Sequence, residues 1–297
     1  MLIFSHGLKP ESLPHDFHAD SGGAYRRRLY RKDFKNLDPA ALPWTEMRRT
    51  PERFPDVHMA KISSVRTVAG FTFETAEGKK EKIYVKKSFV QDAWRKLVAR
   101  LRPPKEWREF RLAQEFQAHG VRVPEPVFYA EAKLPENGYP VTFYATMALP
   151  EDFCEARGFF HATGQFREEW ISLGEFTAML HGKGIYHADY RAAHQFFARR
   201  DGKFEWALID LDHSRTGHRV GRPVRRRAIL QLVQSLMGAG ITENDVNRFV
   251  AAYDPEDEWK LRPGELFREA RGRWEDKRKA RKYQKPRAGR AWGREKA

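Results

Sequence analysis

Between residues 60 and 149 apolar and polar side chains alternate over short runs, whereas between 152 and 260 apolar positions recur mostly at helical spacing. Strands are predicted at Ile62–Val68, Phe71–Glu74 and Lys82–Lys87. The last reads Lys82-Ile-Tyr-Val-Lys-Lys87, a pattern with one wet face, and Gly78 falls in the polar turn before it. Pro140–Leu149 is the most strand-like run of the chain. Two helices lie among these strands. Ser88 caps one that runs through Trp94 and Leu97–Leu101 to the Pro103-Pro104 break. The other, about Lys105–His119, sets Phe110, Ala113 and Phe116 or Gln117 along one stripe and ends at Gly120. Val121–Pro126 then reads as an extended connector.

Past residue 152, Phe166, Trp170, Leu173, Phe176 or Thr177, and Leu180 make Phe166–Lys183 a core helix. Short strands at Gln195–Arg199 and Phe204–Asp210 follow, then helices at about Pro223–Met237 and Glu243–Tyr253. Residues 1–57, rich in Pro, Gly, His and charge, read as an irregular or partly helical extension. The tail from Pro263 starts as a helix and breaks at Pro286. The division expected is an extension at 1–57, a sheet-based lobe at 58–150, a mainly helical lobe at 151–262 and a basic tail at 263–297.

Charge refines this division. The 297 residues carry 55 Lys and Arg against 40 Asp and Glu, a net of +15. Residues 271–297 hold twelve basic and three acidic side chains, a net of +9. Residues 213–230 hold six arginines and no acid, a net of +6. The rest of the chain is neutral in aggregate, so this is a neutral body with two basic patches. A single cysteine, Cys154, excludes an internal disulfide and suits a reducing compartment. No Cys/His cluster has zinc spacing and no uncharged apolar run nears the eighteen or so residues of a membrane span; neither a secretory signal nor an internal repeat is expected from the sequence. A cytoplasmic protein, with attachment to a surface as an option, is expected.

The informative chemistry is in Gly184-Ile-Tyr-His187-Ala-Asp189-Tyr-Arg191-Ala-Ala-His194-Gln-Phe-Phe197, which ends a helix and precedes a strand. The next strand closes with Leu208-Ile-Asp210-Leu-Asp212. An aspartate in a turn, a metal-ligand type five residues later and an aspartate ending the following strand are the parts that phosphoryl transfer needs. One carboxylate takes the proton of the attacking hydroxyl, and further side chains hold the metal that neutralises the transferring group. Singly, an H-x-D triplet or an acidic strand end is commonplace; together, at this spacing, they favour function over coincidence.

This stretch resembles the lipopolysaccharide kinase (Kdo/WaaP) family. Three others agree: Ile83-Tyr-Val-Lys86-Lys87, Trp107-Arg-Glu109-Phe-Arg-Leu112 with Gly120-Val-Arg-Val-Pro124-Glu-Pro126, and Arg225-Arg-Arg227 leading to Leu230–Leu236 and Arg248–Tyr253. The resemblance spans about residues 60–255. It implies an α+β, two-lobed protein-kinase-like fold, with an antiparallel N-lobe sheet carrying helices and a mainly helical C-lobe. It further implies ATP and Mg²⁺ as cofactors. Asp189 would be the base, with His187 holding its loop and Arg191 a fixed cation nearby; Asp210 and His194 would be metal ligands. Lys86 would contact the ATP phosphates and pair with Glu109. Lys87 and Glu106 are the fallbacks, although alternation turns Lys87 to the opposite face from Lys86.

Departures from the kinase pattern carry their own implications. His194 replaces the usual Asn, and imidazole suits Mn²⁺ better than Mg²⁺; within the family it leans towards a heptose kinase. Asp212 stands where the DFG glycine would be, and Ala188 replaces the arginine of H-R-D, so control by a phosphorylated activation loop is not expected. No G-x-G-x-x-G precedes Lys86; only Gly70 lies near the first hairpin.

Arg222, Arg225, Arg226 and Arg227 then read as a cradle for an anionic acceptor, the lipopolysaccharide core or a lipid A-linked glycan, with a solvated loop as the bland alternative. The tail mixes Trp274, Tyr283 and Trp292 with basic residues, a pattern that suits an anionic inner-membrane surface, RNA, or solubility alone; nucleic acid is the weaker partner reading for the whole chain. The function expected is an ATP-dependent kinase acting on a sugar hydroxyl, heptose or Kdo, at the cytoplasmic face of the inner membrane. A protein or small-molecule kinase of the same fold is one alternative; a degenerate kinase that binds RNA or membrane is another.

Overall fold

A computed structural model describes residues 16–21, 23–63, 65–89, 103–133 and 141–283. The chain divides into two units, Met1–Phe153 with Ala207–Thr216, and Cys154–Trp206 with Gly217–Ala297.

In the first unit seven strands form one antiparallel sheet: β1 (Phe17–Asp20), β2 (Tyr25–Arg31), β3 (His58–Ile62), β4 (Arg66–Glu74), β5 (Lys80–Phe89), β6 (Pro126–Ala132) and β7 (Val141–Met147). Their order is β1-β2-β6-β7-β5-β4-β3. The alternation seen on β5 is realised: Ile83, Val85 and Lys87 are buried on one face, and Tyr84 and Lys86 turn to the other. The first face packs with Tyr25, Phe34, Leu37, Trp44 and Phe143, where Trp44 opens a short helix, α1 (Trp44–Arg49). The second face takes helix α2 (Lys105–Ala118), whose Trp107 and Phe110 cover Leu29, Tyr129 and Tyr144. Burying side chains of this size contributes roughly 1.5–3 kcal/mol each, which fixes α2 on the sheet.

Three parts of the sheet differ from the sequence expectation. Residues 1–57 are not merely irregular or helical: they supply β1 and β2, and Phe34, Leu37 and Trp44 help to cover a face of the sheet. The arginines of β2 hid it as a strand, and neighbouring carboxylates explain them, Asp20 for Arg28 and Glu131 for Arg27. β6 was read only as a connector up to Pro126; Val127–Ala130 are buried without alternation, the mark of a strand covered on both faces. Ser88 lies within β5 rather than capping a helix, and the remainder of that predicted helix lies outside the described residues.

Gly70 sits in the middle of β4, opposite Tyr84. A Cβ there would come within 2.5 Å of the Tyr84 ring, so this glycine is required by cross-strand packing and not by a phosphate-covering turn.

The second unit contains a small sheet and five helices among the described residues. Strands β8 (Cys154–Glu155), β9 (Gln195–Arg200) and β10 (Lys203–Leu208) pair in the order β10-β9-β8. The helices are α3 (Ala156–Thr163), α4 (Glu168–Gly182), α5 (Arg222–Leu236), α6 (Glu243–Tyr253) and α7 (Pro263–Tyr283). Trp170, Leu173 and Leu180 of α4 are buried as their spacing predicted, and Trp170 meets Phe249 of α6 at 4.7 Å between ring centroids. Thr242 and Asp245 cap α6 reciprocally. Leu266 and Ala270 bury the first half of α7. No helix among the described residues is long and apolar enough to cross a membrane. The predicted break at Pro286 lies outside them.

Candidate active site

The first unit holds Lys86 and Glu109, the residues that the resemblance names for the nucleotide. Alternation puts Lys86 on the face that α2 covers, directly opposite Tyr144 on β7. Its Nζ donates to both carboxylate oxygens of Glu109, at 2.5 and 2.7 Å. Glu109 is 4% exposed, so this is a buried charge-assisted pair. Glu106, three residues earlier, accepts a hydrogen bond from Thr142 Oγ1 at 2.7 Å instead. Lys87 lies on the other face, 5.8 Å from the Trp44 ring centroid. The geometry therefore joins Lys86 to Glu109 and leaves neither fallback in that pair. The Tyr144 ring stands 5.6 Å from Lys86 Nζ, and its phenol is held protonated, first by burial and then by the Glu109 charge.

The strand-end aspartates are in the same unit. Leu208 N–H donates to Arg122 O at 3.0 Å, and the chain then turns at Asp210 with φ 55° and again at His213 with φ 62°. Left-handed backbone at two non-glycine residues costs about 1 kcal/mol or more each, and such strain gathers at functional sites. Arg66 Nη1 lies 3.9 Å from the Asp210 carboxylate. Asp212 is ion-paired with Lys105, lies 3.9 Å from Arg108, and has His213 Nε2 at 3.2 Å. Further along, Thr216 Oγ1 donates to Glu115 at 2.5 Å. The segment after Asp210 is thus tied to α2 near both ends of the helix. Sequence reading registered Asp212 only as a missing glycine; the basic first turn of α2, Lys105 and Arg108, was the available signal for its partners.

The second unit holds the turn from His187 to His194. α4 ends at Gly182, and Gly184 (φ 72°) reverses the chain where a Cβ would lie 2.8 Å from His218 O. His187 is buried, its ring 6.1 Å from Tyr190 and 6.0 Å from His194, which suits a loop-holding part. Tyr190 exchanges a 2.7 Å hydrogen bond with Thr177 Oγ1, and burial raises its phenol pKa. Asp189 keeps a side chain 40% exposed and accepts a hydrogen bond from Arg191 Nη2. His194 Nδ1 lies 2.9 Å from Asp189 O and 3.6 Å from its carboxylate. A carbonyl oxygen can only accept, so Nδ1 donates to Asp189 O.

Asp210 and His194 are the residues suited to a metal. The Asp210 carboxylate is a hard oxygen donor that fits Mg²⁺, while His194 Nε2 accommodates Mn²⁺ more readily. Among the described residues no group of three or more His, Cys, Asp or Glu forms a cage.

The arginines after Asp210 do not form the cradle expected of them. Arg222 donates to Lys260 O at 2.8 Å, Arg226 pairs with Glu269 at 2.5 Å, and Arg227 is exposed. Arg225 is 7% exposed and turned inward, donating to Val220 O, Tyr253 Oη and His181 O. The reason is helical phase: Arg225, Ile229, Leu232 and Leu236 share the buried stripe of α5. Reading the arginines as a run hid that spacing. In the tail, Arg278 lies 5.4 Å from the Trp274 ring centroid; Trp292 lies outside the described residues.

A sheet unit with a lysine–glutamate pair and a helical unit with an aspartate turn are the two halves of a protein-kinase-like fold. The chain belongs to the Lipopolysaccharide kinase (Kdo/WaaP) family, whose model matches residues 60–253. The structure of WaaP in complex with acyl carrier protein is similar to it at 19% identity, with a TM-score of 0.49 over 87% of this chain and 100% of that one. No curated protein matches the chain.

Proposed function

We propose that the chain is an ATP-dependent kinase that phosphorylates a sugar hydroxyl, heptose or Kdo, of lipopolysaccharide core. The observation that carries this reading is the buried Lys86–Glu109 pair, the arrangement that kinases use to present a lysine to nucleotide phosphates.

In this reading Asp189 accepts the proton of the acceptor hydroxyl as its oxygen attacks the γ-phosphorus and ADP leaves. Arg191 and His194 fix the orientation of the Asp189 turn. Lys86 orients the phosphates, and Glu109 keeps its ammonium in place. Asp210 and His194, each in its own unit, are the proposed ligands of the divalent ion, which when bound would neutralise charge on the transferring phosphoryl group. Location at the cytoplasmic face of the inner membrane is supported by the exposed basic second half of α7.

The test is ATP turnover with purified core oligosaccharide. Asp189→Asn and Asp210→Asn should each lower kcat by about 10²–10⁴-fold. Variants that match the parent would remove the assignment.

A further inference from the structure

In the second unit Lys183, His218, Arg219, Arg225, Glu258 and Trp259 are among the residues that line a cavity of about 450 Å³. Its wall holds three formal cations against one acid. Arg225 is the informative member. The residue is 7% exposed, and its guanidinium carbon lies 3.8 Å from the Trp259 ring centroid. Every hydrogen bond it makes among the described residues goes to a neutral acceptor: the carbonyls of Val220 and His181 and the phenol of Tyr253, at 2.7, 3.3 and 2.8 Å. Asp254, next to that phenol, spends its carboxylate on the N–H groups of Glu258 and Trp259, which shapes the turn bearing the aromatic wall.

A buried guanidinium normally sits against a carboxylate, because removing a charge from water is costly unless it is paired. Arg225 meets only dipoles. Its field is felt next door: His181 is pushed down to about 3, first by burial and then by the Arg225 charge. Arg219 and Lys183, both exposed, add to the positive wall, and Glu258 offsets part of it. Gly184 keeps the wall close-set, since any side chain there would strike His218 O. The volume suits a phosphorylated sugar unit.

We propose that this cavity is an oxyanion site that takes a phosphate monoester on the acceptor glycan, anchored by Arg225 and Arg219. The proposal rests on the kinase reading and deepens it. Recognition of the acceptor's charge moves from a displayed arginine run to a cavity in the unit that bears Asp189. Planar guanidinium forks match a phosphate's oxygens, and an aromatic wall suits a sugar ring.

Binding is measured on the full chain without ATP, by thermal shift and tryptophan fluorescence, with inorganic phosphate, glucose 6-phosphate and glucose at matched ionic strength. Phosphate should bind saturably and raise Tm. Glucose 6-phosphate should bind several-fold tighter, and glucose should not bind. Arg219→Ser with Lys183→Ser, both at exposed positions, should weaken phosphate about tenfold without lowering Tm in its absence; Arg225→Gln should abolish binding. Trp259→Phe should remove the fluorescence response and keep the thermal one.

Equal phosphate affinity in the parent and the double variant overturns the site, even if Arg225→Gln does not fold. Equal affinity for inorganic phosphate and the sugar phosphate overturns the glycan assignment and makes free phosphate the ligand. The same titration of Asp189→Asn separates the two claims: that variant should bind phosphate like the parent whether or not the parent turns over ATP.

Discussion

The two units handle charge in opposite ways. In the sheet unit the site charges meet opposite charges from the same unit: Lys86 meets Glu109, Asp210 has Arg66 within 3.9 Å, and Asp212 meets Lys105. The helical unit matches Asp189 to Arg191 but leaves Arg225 buried among neutral dipoles beside a basic cavity. Compensated charge holds a geometry that exists before anything binds. Uncompensated buried charge is a standing cost, and it makes physical sense when an anion arrives from outside. On the proposed function and site, the contrast would separate groups that present a reactant from groups that select one.

Breaking the compensated side should have the largest effect. Lys86→Met removes the donor proposed for the ATP phosphates and leaves the Glu109 carboxylate buried alone. Expected are a fall in kcat/KM for ATP of about 10²–10³-fold and a loss of about 3–5 kcal/mol in urea unfolding. The double variant Lys86→Met/Glu109→Leu should recover most of the stability and none of the activity, since a matched apolar pair needs no counter-charge. Unchanged stability in the single variant would show that the pair is not the buried, mutually dependent one described.

A smaller break lies at the tie between α2 and the segment after Asp210. Asp212→Asn removes the partner of Lys105 while preserving shape. If that ion pair keeps α2 seated so that Glu109 meets Lys86, KM for ATP should rise about tenfold with kcat little changed, an effect within the usual coupling between ion-paired neighbours. Lys105→Asp combined with Asp212→Lys should restore much of it. A swap no better than its single variants would reduce the tie to a surface contact worth a few tenths of a kcal/mol.

How much of this was legible in the sequence follows the same divide. Strand alternation at Ile83–Lys87 is a local pattern that separates Lys86 from Lys87, whereas the choice of Glu109 as partner comes from the family resemblance, because Glu106 lies on nearly the same helical face. The turn from His187 to His194 is also local, a contiguous segment with its own hydrogen bonds. β2 escaped because its charges are explained only by Asp20 and Glu131 on neighbouring strands, and β6 because burial on both faces erases alternation. The burial of Arg225 escaped for a related reason. A run of arginines reads as a displayed patch until helical phase is applied, and its acceptors, Tyr253 and His181, are 28 and 44 residues away. Charges whose meaning depends on distant partners are the ones that sequence reading misplaces.

The smallest effect reads the contrast through a proton. Burial and the neighbouring Arg225 hold His181 at about 3 in the folded chain, against an ordinary value near 6.5 when unfolded. Its Nδ1 shares a 2.8 Å hydrogen bond with the phenol of Tyr253, itself raised to about 12 by burial, so Tyr253 stays neutral across the range. A folded value below the unfolded one means that the unfolded chain binds more protons between those limits. The stability tied to neutral His181 is therefore complete above about pH 7 and is lost as pH falls from about 6.5 towards 3. Between pH 8 and pH 5.5 that loss is about 1.4 kcal/mol. Urea unfolding of the parent and of His181→Gln at the two pH values isolates it, because the other titrating groups are common to both. The parent should lose about 1.4 kcal/mol more than the variant over that interval; parallel losses would mean that the histidine is protonated inside the fold and that the positive charge of Arg225 is balanced after all.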